Sequence, residues 1–259
     1  MSNKSTRIFL IIGLTKESTH WDDTFVETIK EKFKTDDIIA LDLPGSGKYL
    51  DQKSPMSLKR IVRNTRINYK EFLKGDTHNI LISVSLGGMV GTAWLEQFPD
   101  DFDQFIIINS SLKSYSPIYK RTLPWAMKRL FGVFFASTPE NKEHKVIELC
   151  SNNNEVYDHV KAKWVKIAKE RPMSRANMVR QLIAGAAYKS TYKPNLPLLI
   201  IATRHDKIAH HSCSEDLHKN WGGDLHMIEE DYVGHAAHID APVELATIIY
   251  DWTEKQNNV

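Results

Sequence analysis

The sequence has little of what marks several classes of protein. It holds only two cysteines, Cys150 and Cys213, and no C-x-x-C pair, which is too few for a disulfide framework. We interpret both as free thiols in a reducing compartment. It also lacks an H-E-x-x-H motif and any Cys/His cluster, so we expect neither a metal site nor a cofactor.

Long hydrophobic runs are missing as well. The apolar run nearest the N-terminus, residues 8–14, is far too short to cross a bilayer. Thr15, Lys16 and Glu17 follow it, where a signal peptide would carry a small-x-small cleavage site. We therefore expect a buried strand here, and a cytoplasmic protein without stable membrane insertion.

An excess of charge of either sign is also absent. The 34 Lys+Arg and 32 Asp+Glu residues give a net charge of only +2, so the chain as a whole favours no nucleic-acid partner. The length of 259 residues and the 42% hydrophobic content fit one globular unit, or one unit with an insertion.

What the chain does have is a regular alternation of short apolar runs and helical patterns. Runs rich in Ile, Leu and Val predict strands at residues 8–12, 38–41, 80–84, 105–108, 198–202 and 225–228. Runs without polar alternation are typical of parallel sheets buried on both faces. With helices predicted at 21–33, 58–73 and 243–252, the order indicates the α/β class. We expect a doubly wound, mostly parallel sheet of about six strands.

One segment, residues 113–193, breaks this alternation. It contains no convincing strand, but helical patterns occur at 141–150 and 156–170. A connection of this length is too large for a simple loop. We therefore predict a helical lid at 113–193, inserted into a core made of residues 1–112 and 194–259.

The predicted lid is strongly basic. It carries 16 Lys+Arg and 6 Asp+Glu residues, a net charge of +10, which leaves −8 for the rest of the chain. One interpretation is an ordinary solvated helical surface. The other is a surface that attracts an anionic substrate, an acidic carrier protein or a membrane.

The most informative segment is residues 79–94, where an apolar strand meets the glycine-rich start of a helix. Ser85 stands at this junction, in the sequence S-V-S-L-G. A serine on such a turn projects its hydroxyl beyond the strand end, and the helix N-terminus stabilises an oxyanion beside it. Gly87, Gly88 and Gly91 remove side chains that would block the turn. Ser85 is thus the candidate nucleophile.

This turn resembles the G-x-S-x-G motif of the α/β-hydrolase superfamily, with Ser83 in place of the first glycine. Residues 11–15, followed by Trp21, look like the family's H-G loop, and residues 41–48 look like its D-x-P-G-x-G loop. The position of the predicted lid also matches. The resemblance covers nearly the whole chain and implies a serine hydrolase.

A nucleophilic serine needs a base and an acid that orients it. In this fold they follow the serine in the order Asp or Glu, then His. Asp206 comes a few residues after the strand predicted at 198–202, and His235 follows the next strand. Both are therefore expected at the same sheet edge as Ser85, and the family resemblance supports both assignments.

Several other histidines lie near these two candidates in the sequence. His235, His238 and Asp206 could converge on a metal ion, but no metal-binding motif is present, so we do not favour a metal site. Surface or lid contacts are expected instead for the remaining histidines near the two candidates, namely His205, His210, His211 and His238.

The oxyanion hole is expected to use two backbone N–H groups. One is that of Leu86, directly after the nucleophile, and the other comes from the loop after the first strand. The family pattern implies Leu14 for the second donor. Ile12 stands where the family usually has a histidine.

We therefore expect an enzyme that cleaves carboxylic esters by a Ser-His-Asp acyl-enzyme mechanism. Its partner would be a small acyl ester as substrate. In one version of this hypothesis the ester carries a negative charge. A second hypothesis is an esterase or thioesterase acting on acyl chains held by an acidic carrier protein. A third, from another class, is a non-catalytic binding protein on a hydrolase fold.

Overall fold

A six-stranded sheet forms the centre of the computed structural model, which describes residues 4–257. Its strands are β1 (Ser5–Ile11), β2 (Ile38–Ala40), β3 (Thr77–Val84), β4 (Gln104–Ile108), β5 (Leu198–Thr203) and β6 (Asp224–Ile228). They lie in the order β2-β1-β3-β4-β5-β6, and every neighbouring pair is parallel. The predicted α/β class and parallel sheet are confirmed.

The helices of the described residues fall into two groups. Those around the sheet are α1 (Asp23–Phe33), α2 (Leu58–Tyr69), α3 (Leu86–Gln97), α9 (Ser212–Trp221), α10 (Ala237–Asp240) and α11 (Pro242–Asn257). Those between β4 and β5 are α4 (Ile118–Arg121), α5 (Pro124–Phe134), α6 (Pro139–Cys150), α7 (Tyr157–Glu170) and α8 (Arg175–Ala187). The sequence pattern had not marked α5 and α8 as separate helices.

Both faces of the sheet are buried, which explains why the strands carry no polar alternation. Phe9 of β1 packs into the core on the side of α2 and α3. Its neighbours Ile8 and Leu10 point to the opposite face and pack with Phe25 of α1 and Leu245 of α11. Because successive side chains of a strand alternate between faces, a doubly covered strand must be apolar throughout.

The strand order creates a switch point between β1 and β3. From β1 the chain moves outward to β2, and then returns to place β3 on the other side of β1. The connections after β1 and β3 therefore diverge at the carboxyl edge of the sheet. Ligands of open α/β sheets bind in such a crevice.

The helices between β4 and β5 pack against the loops at this same edge. Their apolar cluster includes Ile147 of α6 and Trp164 of α7, together with Ala236 and Ile239 from the region after β6. Within the described residues, no strand occurs between Ile108 and Leu198. The ends of the predicted core, residues 1–3 and 258–259, lie outside the described residues.

Candidate active site

Ser85 occupies a sharp turn between β3 and α3. Its backbone has φ 58° and ψ −120°, a conformation that costs energy for any residue with a side chain. Two contacts with β4 and its end hold the turn: Ser85 N–H donates to the Ile108 carbonyl at 2.9 Å, and Ser110 Oγ donates to the Ser85 carbonyl at 2.7 Å. The surrounding structure therefore fixes the strained backbone of the candidate nucleophile.

Close backbone approach explains two glycines at this turn. A Cβ on Gly87 would lie 2.3 Å from the carbonyl oxygen of Ile11, at the end of β1. A Cβ on Gly13 would lie 3.2 Å from the Cβ of Ser85. The loop after β1 thus runs directly beside the candidate nucleophile.

Ser83, which replaces the first glycine of the motif, fits within the sheet. Its side chain is fully buried in β3, and its hydroxyl donates to the Ile106 carbonyl of β4 at 3.3 Å. The hydroxyl is therefore satisfied by the neighbouring strand. The substitution leaves the tight turn at Ser85 in place.

Asp206 and His235 meet at the same edge of the sheet. Oδ2 of Asp206 lies 2.6 Å from Nδ1 of His235, and the two side chains are 1% and 7% exposed. The other carboxylate oxygen accepts the N–H groups of Ile208 and Ala209 at 2.7 and 3.0 Å. With the Asp206 carboxylate as the acceptor of this contact, a neutral His235 carries its proton on Nδ1, which leaves Nε2 as an acceptor.

A hydrogen-bond network fixes the backbone around His235. The side-chain N–H₂ of Asn109 donates to the His235 carbonyl at 2.9 Å and to Thr203 Oγ1 at 3.1 Å. Thr203 Oγ1 in turn donates to the Gly234 carbonyl at 3.0 Å. Residues at the ends of β4 and β5 therefore position the histidine loop.

Asp240 secures the same loop from its other side. It accepts hydrogen bonds from the N–H of Gly234 at 2.7 Å, from the N–H of Asn152 at 3.1 Å and from the hydroxyl of Ser151. Burial raises the pKa of its carboxyl. Neither Asp240 nor Asn109 was identified from the sequence. For Asn109, its position directly after β4 was the one feature of the sequence that could have indicated a role at this edge of the sheet.

The remaining histidines make other contacts, although His238 also lines the cavity that Ser85 and His235 share. His238 is buried beside Trp21, with ring centroids 4.8 Å apart, and burial lowers its pKa to about 3. His205 and His210 are exposed, and His211 contacts Glu215 at 2.9 Å. Among residues 4–257, no group of three or more His, Cys, Asp or Glu side chains is arranged to hold a metal ion.

The two expected oxyanion donors belong to segments next to the Ser85 turn. Leu86 is the first residue of α3, so its N–H has no acceptor within the helix. Leu14 follows Gly13 in the loop after β1, and the next residue, Thr15, has a φ of 63°. Ile12, which replaces the family's histidine, is buried in the core on the α1 and α11 side.

A cavity of about 550 Å³ connects these groups. Its walls include Ser85, His235 and both candidate oxyanion residues, Leu14 and Leu86. Helices α5, α6 and α8 add a largely apolar part of the lining, which includes Phe131, Phe134, Val146, Leu149, Met178 and Leu182. Such a cavity suits an apolar ligand with a polar reacting group.

Comparisons with known proteins identify the fold family of the chain. A family model described as the alpha/beta hydrolase fold matches residues 6–242. The chain belongs to the α/β-hydrolase fold family. The resemblance proposed from the motifs is thereby confirmed.

Solved structures support the fold of this α/β hydrolase. An esterase from Exiguobacterium antarcticum is 12% identical, with a TM-score of 0.76 over 97% of this chain and 92% of that one. An esterase from Rhodococcus sp. ECU1013 is 12% identical, with a TM-score of 0.75 over 96% of this chain and 90% of that one. A meta-cleavage product hydrolase from Pseudomonas fluorescens is 15% identical, with a TM-score of 0.75 over 98% of this chain and 92% of that one. At these identities the likeness establishes the fold alone.

A sequence search of curated proteins gives no match. In the described part of this α/β hydrolase, no helix combines the length and hydrophobicity that a bilayer crossing requires.

Proposed function

We propose that this α/β hydrolase cleaves carboxylic esters, with Ser85 as nucleophile, His235 as general base and Asp206 as the orienting acid. The observation that carries the proposal is the 2.6 Å contact between Asp206 and His235, beside a cavity that Ser85 also lines. Membership of a hydrolase fold family supports the reaction class.

The reaction proceeds in two acyl-transfer steps. Nε2 of His235 accepts the hydroxyl proton as Ser85 Oγ attacks the ester carbonyl carbon. The tetrahedral intermediate then collapses, and the bond to the leaving alcohol breaks as the alcohol takes the proton from His235. Water attacks the acyl-enzyme in the same way and releases the acid and the serine hydroxyl.

Charge in this reaction develops on the carbonyl oxygen and on His235. The N–H groups of Leu86 and Leu14 stabilise the oxyanion, assisted by the N-terminal end of α3. The carboxylate of Asp206 stabilises the imidazolium that forms on His235. Both kinds of stabilisation are strengthened by the apolar walls of the cavity, which exclude water.

The substrate enters beneath residues 113–193, which we assign as a lid over the core. Helices α5, α6 and α8 supply the apolar wall that would accommodate an acyl chain.

The net charge of +10 on residues 113–193 favours a second candidate, an esterase or thioesterase for acyl chains on an acidic carrier protein. In that case kcat/KM for carrier-bound esters falls as ionic strength rises. Insensitivity to salt would contradict electrostatic steering.

A fluorophosphonate probe tests the nucleophile directly. We expect the unmodified protein to be labelled and Ser85→Ala to lose both labelling and ester hydrolysis. Ser83→Ala is the matched control, since this serine lies two residues away within β3 and should leave labelling intact. No labelling and no ester hydrolysis by the unmodified protein would indicate a binding protein on this fold.

A further inference from the structure

Two cationic side chains line the cavity, and their surroundings differ. Lys16 is neutralised: its Nζ lies 2.7 Å from Glu143 Oε2, and both side chains are less than a tenth exposed. The same Nζ lies 3.5 Å from the centroid of the Trp164 ring. Lys16 therefore ties the loop after β1 to α6 and α7, and its charge is already compensated.

Arg121, at the end of α4, has no such compensation. It is 7% exposed, and no carboxylate of the described residues lies within ion-pair distance of its guanidinium. Burial lowers its pKa. A buried charge without a counter-ion is unfavourable, so a group of opposite charge that enters the cavity would be stabilised there.

The protein uses only part of the hydrogen-bonding capacity of Arg121. Nη2 donates to the carbonyl of Gly185 at 2.9 Å and lies 3.8 Å from Met89 Sδ, and Nε lies 3.4 Å from Ser111 Oγ. Gly185 is in the last turn of α8, where carbonyls lack helical partners and favour a cation. These contacts orient the guanidinium. A guanidinium offers five N–H donors, so they leave donors for a ligand.

The position of Arg121 links it to the wall that carries Ser85. Its partner Ser111 directly follows Ser110, whose hydroxyl donates to the Ser85 carbonyl. Its other partner, Gly185, lies so close to Leu86 that an added Cβ would be 2.6 Å from Leu86 Cδ1. Arg121, Ser111, Gly185 and Ser85 all line the one cavity.

We propose that Arg121 binds a carboxylate of the substrate, so that the preferred substrate is an ester with a second, ionised acid group. The inference rests on the proposed ester hydrolysis and adds the substrate class. A planar guanidinium matches a carboxylate with paired N–H···O bonds. A single cation without a counter-ion among the lining residues balances one negative charge, which favours a monoanionic carboxylate over a phosphate dianion.

The carboxylate can belong to the acyl part or to the alcohol part of the ester, and two substrate pairs distinguish these sources. The acyl pair is mono-p-nitrophenyl adipate against p-nitrophenyl hexanoate. The alcohol pair is 4-(butyryloxy)benzoate against its methyl ester. We expect the acid member of one pair to have a kcat/KM at least about tenfold higher, the usual effect of a charge-assisted hydrogen bond.

Substitution of Arg121 is expected to reverse that preference. In Arg121→Gln the acid member should become the poorer substrate of the pair, because an apolar cavity then receives an unpaired carboxylate. Arg121→Lys should keep part of the preference. Arg129→Gln is the matched control, since Arg129 is an exposed cation of α5 outside the cavity wall, and the substrate ratio should stay as in the unmodified protein.

Each result has a separate meaning. Hydrolysis of the neutral esters with no preference for the acid member of either pair would overturn the role of Arg121 and leave the ester hydrolase intact. If Arg129→Gln and Arg121→Gln reduced the preference for the acid member equally, long-range attraction would explain the preference. Direct contact with Arg121 would then be excluded. If no ester is hydrolysed, the proposed function itself fails.

A measurement on the unmodified protein covers the case in which the Arg121 variants do not fold. For an acyl-side carboxylate, adipate should inhibit hydrolysis of p-nitrophenyl hexanoate competitively and at least about tenfold more strongly than hexanoate does. For an alcohol-side carboxylate, 4-hydroxybenzoate should inhibit more strongly than its methyl ester by a similar factor. Equal inhibition within both pairs would contradict the proposal.

Discussion

Oδ2 of Asp206 and Nδ1 of His235 lie 2.6 Å apart although 29 positions separate the two residues in the chain. Asp206 follows β5 and His235 follows β6, and these strands are parallel neighbours. Their carboxyl ends therefore meet at one edge of the sheet. The second oxygen of Asp206 is held by the N–H groups of Ile208 and Ala209, so the carboxylate cannot rotate without losing both contacts.

Asp206→Asn tests this relationship. The amide retains the size of the carboxyl but loses its charge, and it can impose the wrong tautomer on His235. We expect kcat for a simple ester to fall on the order of 10³- to 10⁴-fold, as in other serine hydrolase triads. Steady-state kinetics together with thermal unfolding measure the effect. A similar kcat for the variant would exclude Asp206 as the orienting acid.

A comparison of His235 with His238 tests the assignment of the base. We expect His235→Ala to lower kcat by several orders of magnitude, because the proton acceptor is lost. His238→Ala should lower the free energy of unfolding and leave kcat within about tenfold, since this ring packs against Trp21. Comparable losses of kcat in the two variants would show that the wrong histidine was chosen.

The buried His238 also predicts sensitivity to acid. Burial, aided by the charge of Lys163, lowers its pKa to about 3 from 6.5. Below pH 6.5 the unfolded chain binds a proton at this residue that the folded protein does not bind. The contribution of His238 to stability is therefore complete above pH 6.5 and is lost as pH falls toward 3, at about 1.4 kcal/mol per pH unit.

His238→Gln removes this titration. Between pH 7.5 and 5.5 the variant should lose about 1.4 kcal/mol less of its free energy of unfolding than the unmodified protein does, as measured by urea denaturation. Equal losses would mean that His238 takes up its proton in the folded state.

Asp240→Asn tests whether the loop before His235 requires its carboxylate. The amide oxygen can keep the N–H donors of Gly234 and Asn152, which share Oδ2, but its N–H₂ then replaces the oxygen to which the Ser151 hydroxyl donates. We expect a loss of about 1–3 kcal/mol in stability and a lower kcat with little change in KM. Asp231→Asn is the control, because this exposed residue of the same loop contacts Asn152 only through its backbone carbonyl. Equal effects would place the cause outside the buried carboxylate.

Much of the fold could be predicted because it depends on local pattern. Apolar runs gave all six strands within a few residues, and helical spacing gave α1, α2 and α11. The helices between β4 and β5 were predicted only in part. Helical patterns gave α6 and α7 within two residues at each end, but they did not give α4, α5 or α8.

The residues of the candidate site also differ in whether local pattern was enough to predict them. Ser85, Asp206 and His235 could be proposed because the carboxyl ends of parallel strands must share an edge, and a residue just after a strand is therefore placed by its position alone. Asn109, Asp240 and Arg121 could not be proposed in their present roles. Each acts through a partner from a distant segment, and no local pattern records which distant segments meet.

The sequence by itself therefore determined the parallel sheet, the edge at which chemistry can occur and the serine on its strained turn. Short-range periodicity and turn residues specify these features directly. Only the tertiary structure decided that Asp240 holds the histidine loop, that Lys16 is neutralised by Glu143, and that Arg121 has no counter-ion. Whether a buried charge is paired depends on which side chains the packed helices bring within a few ångströms of it, and this is fixed only when the chain is folded.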